Sequence, residues 1–150
     1  QSYYLSQVFN DAIILGYRDY LEKGISILDS DFDFLILPGW AAQQLPKNLV
    51  DVFVNIRSMM EMNEENLDFY FNLIQTSLKV GGIFTCFNRY QKTVGSFENK
   101  FMFYPFDNDW EALMSQPSIF QPHIHQLILK RMKENSGLEF KKKLTKIQQK

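Results

Sequence analysis

The sequence predicts a doubly wound α/β fold, and three observations carry that expectation. Phe34-Leu-Ile-Leu37 and Val50-Asp-Val-Phe-Val-Asn-Ile56 are continuous apolar runs of the kind found in strands covered on both faces. The segment from Asn63 to Lys79 carries the clearest helical pattern in the chain. A third run, Gly82-Ile-Phe-Thr-Cys-Phe87, follows it, so strand, helix and strand fall within about 40 residues, the spacing of a βαβ unit in a parallel sheet.

Ser2 to Phe9 places Tyr4, Leu5, Val8 and Phe9 at helical spacing, and Asn10-Asp11 reads as a stop before a short strand at Ala12-Ile-Ile-Leu15. Tyr17 to Leu28, with Gly24 in its middle, reads as a helix followed by a loop. Pro38-Gly39 closes the Phe34 strand, and Ala41 to Leu45 leaves room only for a short helix before Pro46. In the main helix Asn63 is a good N-cap, and Glu64 and Glu65 sit where the positive helix end favours anions. Leu67, Tyr70, Phe71, Ile74 and Leu78 then form one apolar stripe, with Lys79 and Gly81 as the expected stop. Beyond Tyr90, a polar loop from Gln91 to Lys100 leads into Phe101-Met-Phe-Tyr104, an aromatic run expected to be a fourth strand ended by Pro105. Asp107 to Met114 reads as a short helix, Ser115 to Pro122 as a loop, and Ile124 to Met132 as a last strand or helix.

Composition bounds what such a chain can be. With 150 residues, 45% hydrophobic and 22% charged, it has the size and mix of one soluble domain. An aromatic content of 15% is too apolar for a disordered tail, and the charges interrupt every stretch that could span a membrane. A single cysteine, Cys86, excludes an intrachain disulfide and any cysteine-based metal cluster, which fits a reducing compartment and hence the cytoplasm. The chain opens at Gln1 with neither a basic n-region nor an apolar h-region, so nothing marks a secreted precursor, and a fragment of a longer protein is expected. The net charge of -1 hides an asymmetry: residues 130–150 carry +6 and the other 129 carry -7. A lysine-rich end of this kind is expected to be a solvated or frayed helix, a tail over 133–150. No nucleic-acid partner is expected, because that tail offers only Phe140 for stacking and the body would repel phosphate.

In an open parallel sheet, ligands bind at the carboxyl ends of the strands, where loops and helix N-termini converge. That rule selects Pro38-Gly39-Trp40, Asn55 to Asn63, and Asn88-Arg89-Tyr90. The second places an amide, a guanidinium, a hydroxyl and a carboxylate within nine residues. Its Glu61 is either a general base for a hydroxyl or simply a helix N-terminal charge, and its three methionines either pack the crossover or line an apolar pocket. His123 and His125 lie two apart and would point the same way on a strand, as a metal pair or as one base with a neighbour. With no HExxH, no cysteine ligand and no acidic pair nearby, no metal is expected. Cys86, in mid-strand, is expected to be buried and inert. The seven glycines form neither a GxGxxG nor a Walker A loop.

Val50-Asp-Val-Phe-Val-Asn-Ile-Arg-Ser-Met-Met-Glu-Met62, then Ser77-Leu-Lys-Val-Gly-Gly-Ile-Phe84 and Asn88-Arg-Tyr90, resemble the fourth and fifth strand regions of class I S-adenosylmethionine-dependent methyltransferases. Together with Gln116-Pro-Ser-Ile-Phe-Gln-Pro-His-Ile-His125, the chain resembles the sugar O-methyltransferases of bacterial surface-polysaccharide loci, over roughly Ser2 to Met132. The resemblance implies a Rossmann-like sheet, S-adenosylmethionine as donor, and methyl transfer to a sugar hydroxyl. It places Gly39 and Trp40 on the adenine side and Asn55 and Ser58 by the reacting methyl. It places Met59, Glu61, Asn88, Arg89, Tyr90 and either His123 or His125 on the acceptor side, with Glu61 or a histidine as base. The family's glycine-rich loop and its ribose-binding carboxylate have no match, so residues 1–132 read as the C-terminal portion of a methyltransferase domain without its first two strands. The Phe34 and Val50 strands would then lack intervening partners, and either a missing N-terminal segment or a second copy would cover their edges. The competing reading is a non-catalytic α/β interaction or carbohydrate-binding domain with an aromatic surface that includes Trp40, Tyr90 and Trp110.

Overall fold

The computed structural model describes residues 1–133, and the chain divides into two compact units, residues 1–45 and residues from 46 onward. All but the first residue of the expected basic tail lies outside the described residues. Among the described residues no helix is long and apolar enough to cross a membrane.

The first unit contains α1 (Ser2–Val8), β1 (Ile14–Leu15), α2 (Tyr17–Lys23), a 3-10 segment (Gly24–Asp29), β2 (Phe34–Leu35) and a second 3-10 segment (Gly39–Gln44). The Asp19 carboxylate accepts from the Gly16 N–H at 2.8 Å, holding the first turn of α2. β1 and β2 pair in parallel, Ile14 with Phe34 and Leu15 with Leu35. The Phe34 strand therefore has a partner, the short apolar stretch ahead of α2. Tyr20, Ile27 and Ala41 form this unit's small core, whereas α1 buries none of its residues.

The second unit is built on β3 (Val50–Ile56), α3 (Glu64–Ser77) and β4 (Leu78–Arg89), the expected strand, helix and strand. Asn63 caps α3 as its sequence requires, its side-chain oxygen accepting from the Asn66 N–H at 2.9 Å. The helix does not run on to a Lys79 and Gly81 stop: the chain turns extended at Leu78, and residues 79–81 already belong to β4, where Lys79 pairs with Asp51 of β3 at 2.8 Å. Gly82 sits so close to β3 that an added Cβ would lie 2.9 Å from the Lys79 carbonyl and 3.0 Å from that of Asp51. Gly82→Ala is therefore expected to destabilise this unit by about 1–3 kcal/mol, read as a lower urea midpoint with an unchanged slope.

After β4 the structure departs from the expected elements in three places. Gln91 to Lys100 is not a loop but a hairpin, β5 (Gln91–Val94) and β6 (Phe97–Lys100), turned by Gly95 at φ 63°. Its polar residues on both faces hide the two-residue period that marks a strand. The aromatic run Phe101–Phe103 is a 3-10 turn rather than a strand, sending Phe101 and Tyr104 into the core and leaving Phe103 outside. Residues 107–114 read as a short helix, but residues 110–114 instead open β7 (Trp110–Pro117), because pairing with β8 (Ile124–Arg131) overrides local propensity.

The sheet has the order β3-β4-β8-β7, with β3 and β4 parallel and β8 antiparallel to both of its neighbours. The fold is thus mixed α/β. Leu67, Phe71 and Ile74 of α3 pack with Phe84, Cys86, Leu127 and Leu129 on one face of the sheet, and Trp110 lies in the same core. Trp110 therefore belongs to no aromatic surface. On the other face Val52, Val54 and Ile56 are each more than half exposed, so β3 is not covered on both faces as its composition suggested.

Candidate functional site

Because β3 and β4 are parallel, their carboxyl ends share one edge of the sheet, and side chains two apart on each strand share one face. Asn55 lies opposite Cys86, and Asn88 lies opposite His125 of β8. The result is a buried polar row across the strand ends. Asn88 Nδ2 donates to Asn55 Oδ1 at 2.9 Å and approaches Cys86 Sγ at 3.1 Å, while Asn88 Oδ1 accepts from the Met60 N–H at 3.1 Å. Asn55 Oδ1 also accepts from the Met59 N–H at 3.2 Å, and Asn55 Nδ2 donates to Ser58 Oγ. Both amides are spent on fixing the turn that follows β3, as buried polar groups must be.

That turn carries a second mark of constraint. Arg57, directly after β3, has φ 60°, a left-handed conformation that costs energy for a non-glycine residue and is found where surrounding structure enforces it. The hairpin completes the enclosure. Asn99 of β6 donates to the Met59 and Met62 carbonyls at 2.8 and 2.9 Å, and Lys92 of β5 pairs with the Glu61 carboxylate. Met59 and Met60 are buried, so these methionines pack the turn.

At the far end of the polar row stands His125, 1% exposed, between two hydroxyls. Its Nε2 lies 2.9 Å from Ser115 Oγ on β7, and its Nδ1 lies 2.9 Å from the Tyr90 hydroxyl. The Phe101 ring meets the imidazole edge-on at 4.9 Å. Burial pushes the His125 pKa down to about 4, so the ring is neutral at pH 7, and burial also raises the Tyr90 phenol. Burial pushes the Cys86 thiol up to about 12, the inert state expected of it, with the Asn88 contact opposing in part.

The structure thus brings Asn55, Ser58, Met59 and Asn88 into direct contact, with Tyr90 and His125 joined to each other beside them. Glu61 is exposed at the rim, engaged by Lys92, and Arg89 is exposed at the end of β4. His123 does not share the direction of His125: it precedes β8, is exposed, and offers its carbonyl to the Tyr90 N–H at 3.4 Å. Gly39 and Trp40 belong to the first unit, where Trp40 meets Tyr20 edge-on at 5.5 Å. Ser115 and Asn99 were not legible as site residues, since one sits in a segment that reads as loop and the other in a polar stretch without period. Among the described residues no group of three or more histidine, cysteine, aspartate or glutamate side chains converges. A cleft of about 370 Å³ opens elsewhere on this unit, beside Lys47, Asn72, Gln75, Thr76, Asp107 and Arg131. None of the strand-end groups lines it. Parallel sheets bind ligands at their carboxyl ends, which places the candidate site at the polar row instead.

No protein-family profile and no curated protein matches the sequence. Among solved structures, the chain is similar to a candidate type 11 methyltransferase from Sulfolobus solfataricus, at 15% identity and TM-score 0.45, over 91% of this chain and 95% of that one. It is similar to a protein from Pyrococcus horikoshii OT3, at 12% identity and TM-score 0.46, over 87% of this chain and 76% of that one. A candidate methyltransferase from Escherichia coli aligns at 13% identity and TM-score 0.38, over 87% of this chain and 81% of that one.

Proposed function

We propose that these residues form the acceptor side and part of the donor side of an S-adenosylmethionine-dependent O-methyltransferase acting on a sugar hydroxyl. One observation carries the reading. Two of the stretches that carry the resemblance to the sugar O-methyltransferases, Ser58 to Met62 and Asn88 to Tyr90, meet at the carboxyl ends of the parallel pair and are tied there by the buried Asn88 amide. When bound, S-adenosylmethionine supplies an electrophilic methyl group. The group that suits the methyl end of such a molecule is the Ser58 hydroxyl, on an exposed residue just past the end of β3. The asparagine lattice fixes the turn that presents it, and fixed geometry at a reacting centre is worth more than any single proton transfer.

The test is transfer of a labelled methyl group from S-adenosylmethionine to a panel of saccharides by the whole natural protein that contains these residues. Label in a sugar ether is the expected result, and Glu61→Ala decides whether the carboxylate is the base, a role that a loss of about 10²-fold in turnover would assign to it. Unchanged turnover would remove Glu61 from that role. Absence of donor binding by calorimetry would overturn the methyltransferase reading and favour an interaction or carbohydrate-binding domain.

A further inference from the structure

Resting on the methyl-transfer reading, we propose that Tyr90, His125 and Ser115 form a proton relay that carries the acceptor hydroxyl's proton from the strand-end site to solvent at the open edge of the sheet. Tyr90 would be the group that touches the acceptor, and His125 and Ser115 would act through it.

Three geometric facts carry this. First, the imidazole is 1% exposed and cannot touch a substrate, yet both of its nitrogens are engaged, each 2.9 Å from a hydroxyl oxygen. Second, the two hydroxyls lie on different sides of it. Tyr90 directly follows β4 at the strand end, whereas Ser115 is on β7, the edge strand of the sheet among the described residues, and both residues are only partly buried. Third, a neutral imidazole has one N–H and one lone pair, so its two hydrogen bonds must run in the same sense along the chain. The Tyr90 O–H donates to Nδ1 while Nε2–H donates to Ser115 Oγ, or both are reversed. Shifting one proton at each link converts one arrangement into the other without leaving a charge on the buried ring.

The step balances as follows. The acceptor O–H proton passes to the Tyr90 oxygen as the Tyr90 proton passes to Nδ1. The Nε2 proton passes to Ser115 Oγ, the Ser115 proton passes to water, and the acceptor oxygen keeps the electron pair of its former O–H bond. The surroundings favour a neutral path. His125 faces Asn88 of β4, Pro117 and Ser115 of β7, Tyr90 and the Phe101 ring, and of these only Tyr90 can titrate.

Ring-nitrogen NMR of 15N-histidine-labelled protein tests the relay independently of any donor, with the two histidines separated by a His123→Gln variant. The expected result is a single neutral tautomer of His125 that persists below pH 6, with Tyr90→Phe moving the Nδ1 resonance and Ser115→Ala the Nε2 resonance. Rapid tautomer averaging with ordinary titration near pH 6.5, unaffected by either variant, would overturn the relay. The second measurement is turnover of the whole natural protein. Tyr90→Phe and Ser115→Ala are expected to lower kcat by about 10–10²-fold with an unchanged donor KM, and to abolish the solvent isotope effect on kcat. Wild-type kcat in both variants would overturn the catalytic role while leaving methyl transfer intact. If the wild-type protein transfers no methyl group although the NMR result holds, the function reading fails and the catalytic role fails with it.

Discussion

Phe71→Ala is expected to cost about 3–5 kcal/mol, enough to leave the second unit largely unfolded if its stability lies at the low end of the usual range. Phe71 is 1% exposed and sits at the centre of the core beneath the sheet. Its ring meets Phe84 at 6.1 Å, Tyr104 at 5.4 Å and Phe106 at 4.7 Å, all edge-on, so truncation empties a space that three aromatic neighbours cannot close together. Urea titration followed through the β4 and β8 resonances should show a lower midpoint. An unchanged midpoint would mean that the α3 face is not the principal packing surface of this unit.

Lowering the pH should weaken the same unit through His125. Its pKa is about 4 in the folded chain and 6.5 when free, so the unfolded chain binds the extra proton first. The stabilisation from keeping the ring neutral is complete above pH 6.5 and is lost as the pH falls toward 4, an effect of up to about 3 kcal/mol. Stability profiles of the wild type and His125→Gln, compared over pH 4–7, give the measurement. The wild type should lose more across this interval than the variant, and parallel profiles would show that the folded state accommodates the protonated ring.

How much of this was legible in sequence depends on whether a residue's environment is set locally. The Asn63 cap and the Leu67 to Ile74 stripe belong to a helix whose hydrogen bonds close within four residues, so spacing alone locates it. β3 and the middle of β4 were legible for a related reason, since short runs rich in β-branched and aromatic residues admit few alternatives. The polar row was half legible. Asn55 and Asn88 were expected at strand ends, but not their bond to each other, which spans 33 positions of chain.

The sequence by itself determined the strand, helix and strand of the second unit, the cap of its helix, the burial of Cys86 and the edge of the sheet at which polar groups gather. Only the tertiary structure decided that residues 110–117 are a strand, that residues 91–100 form a hairpin closing the turn after β3, and that His125 faces inward between Ser115 and Tyr90 while His123 stays outside. The physical reason is common to all three. A strand's hydrogen bonds and the facing of its side chains are set by a neighbouring strand distant in sequence, so neither propensity nor spacing within the segment encodes them.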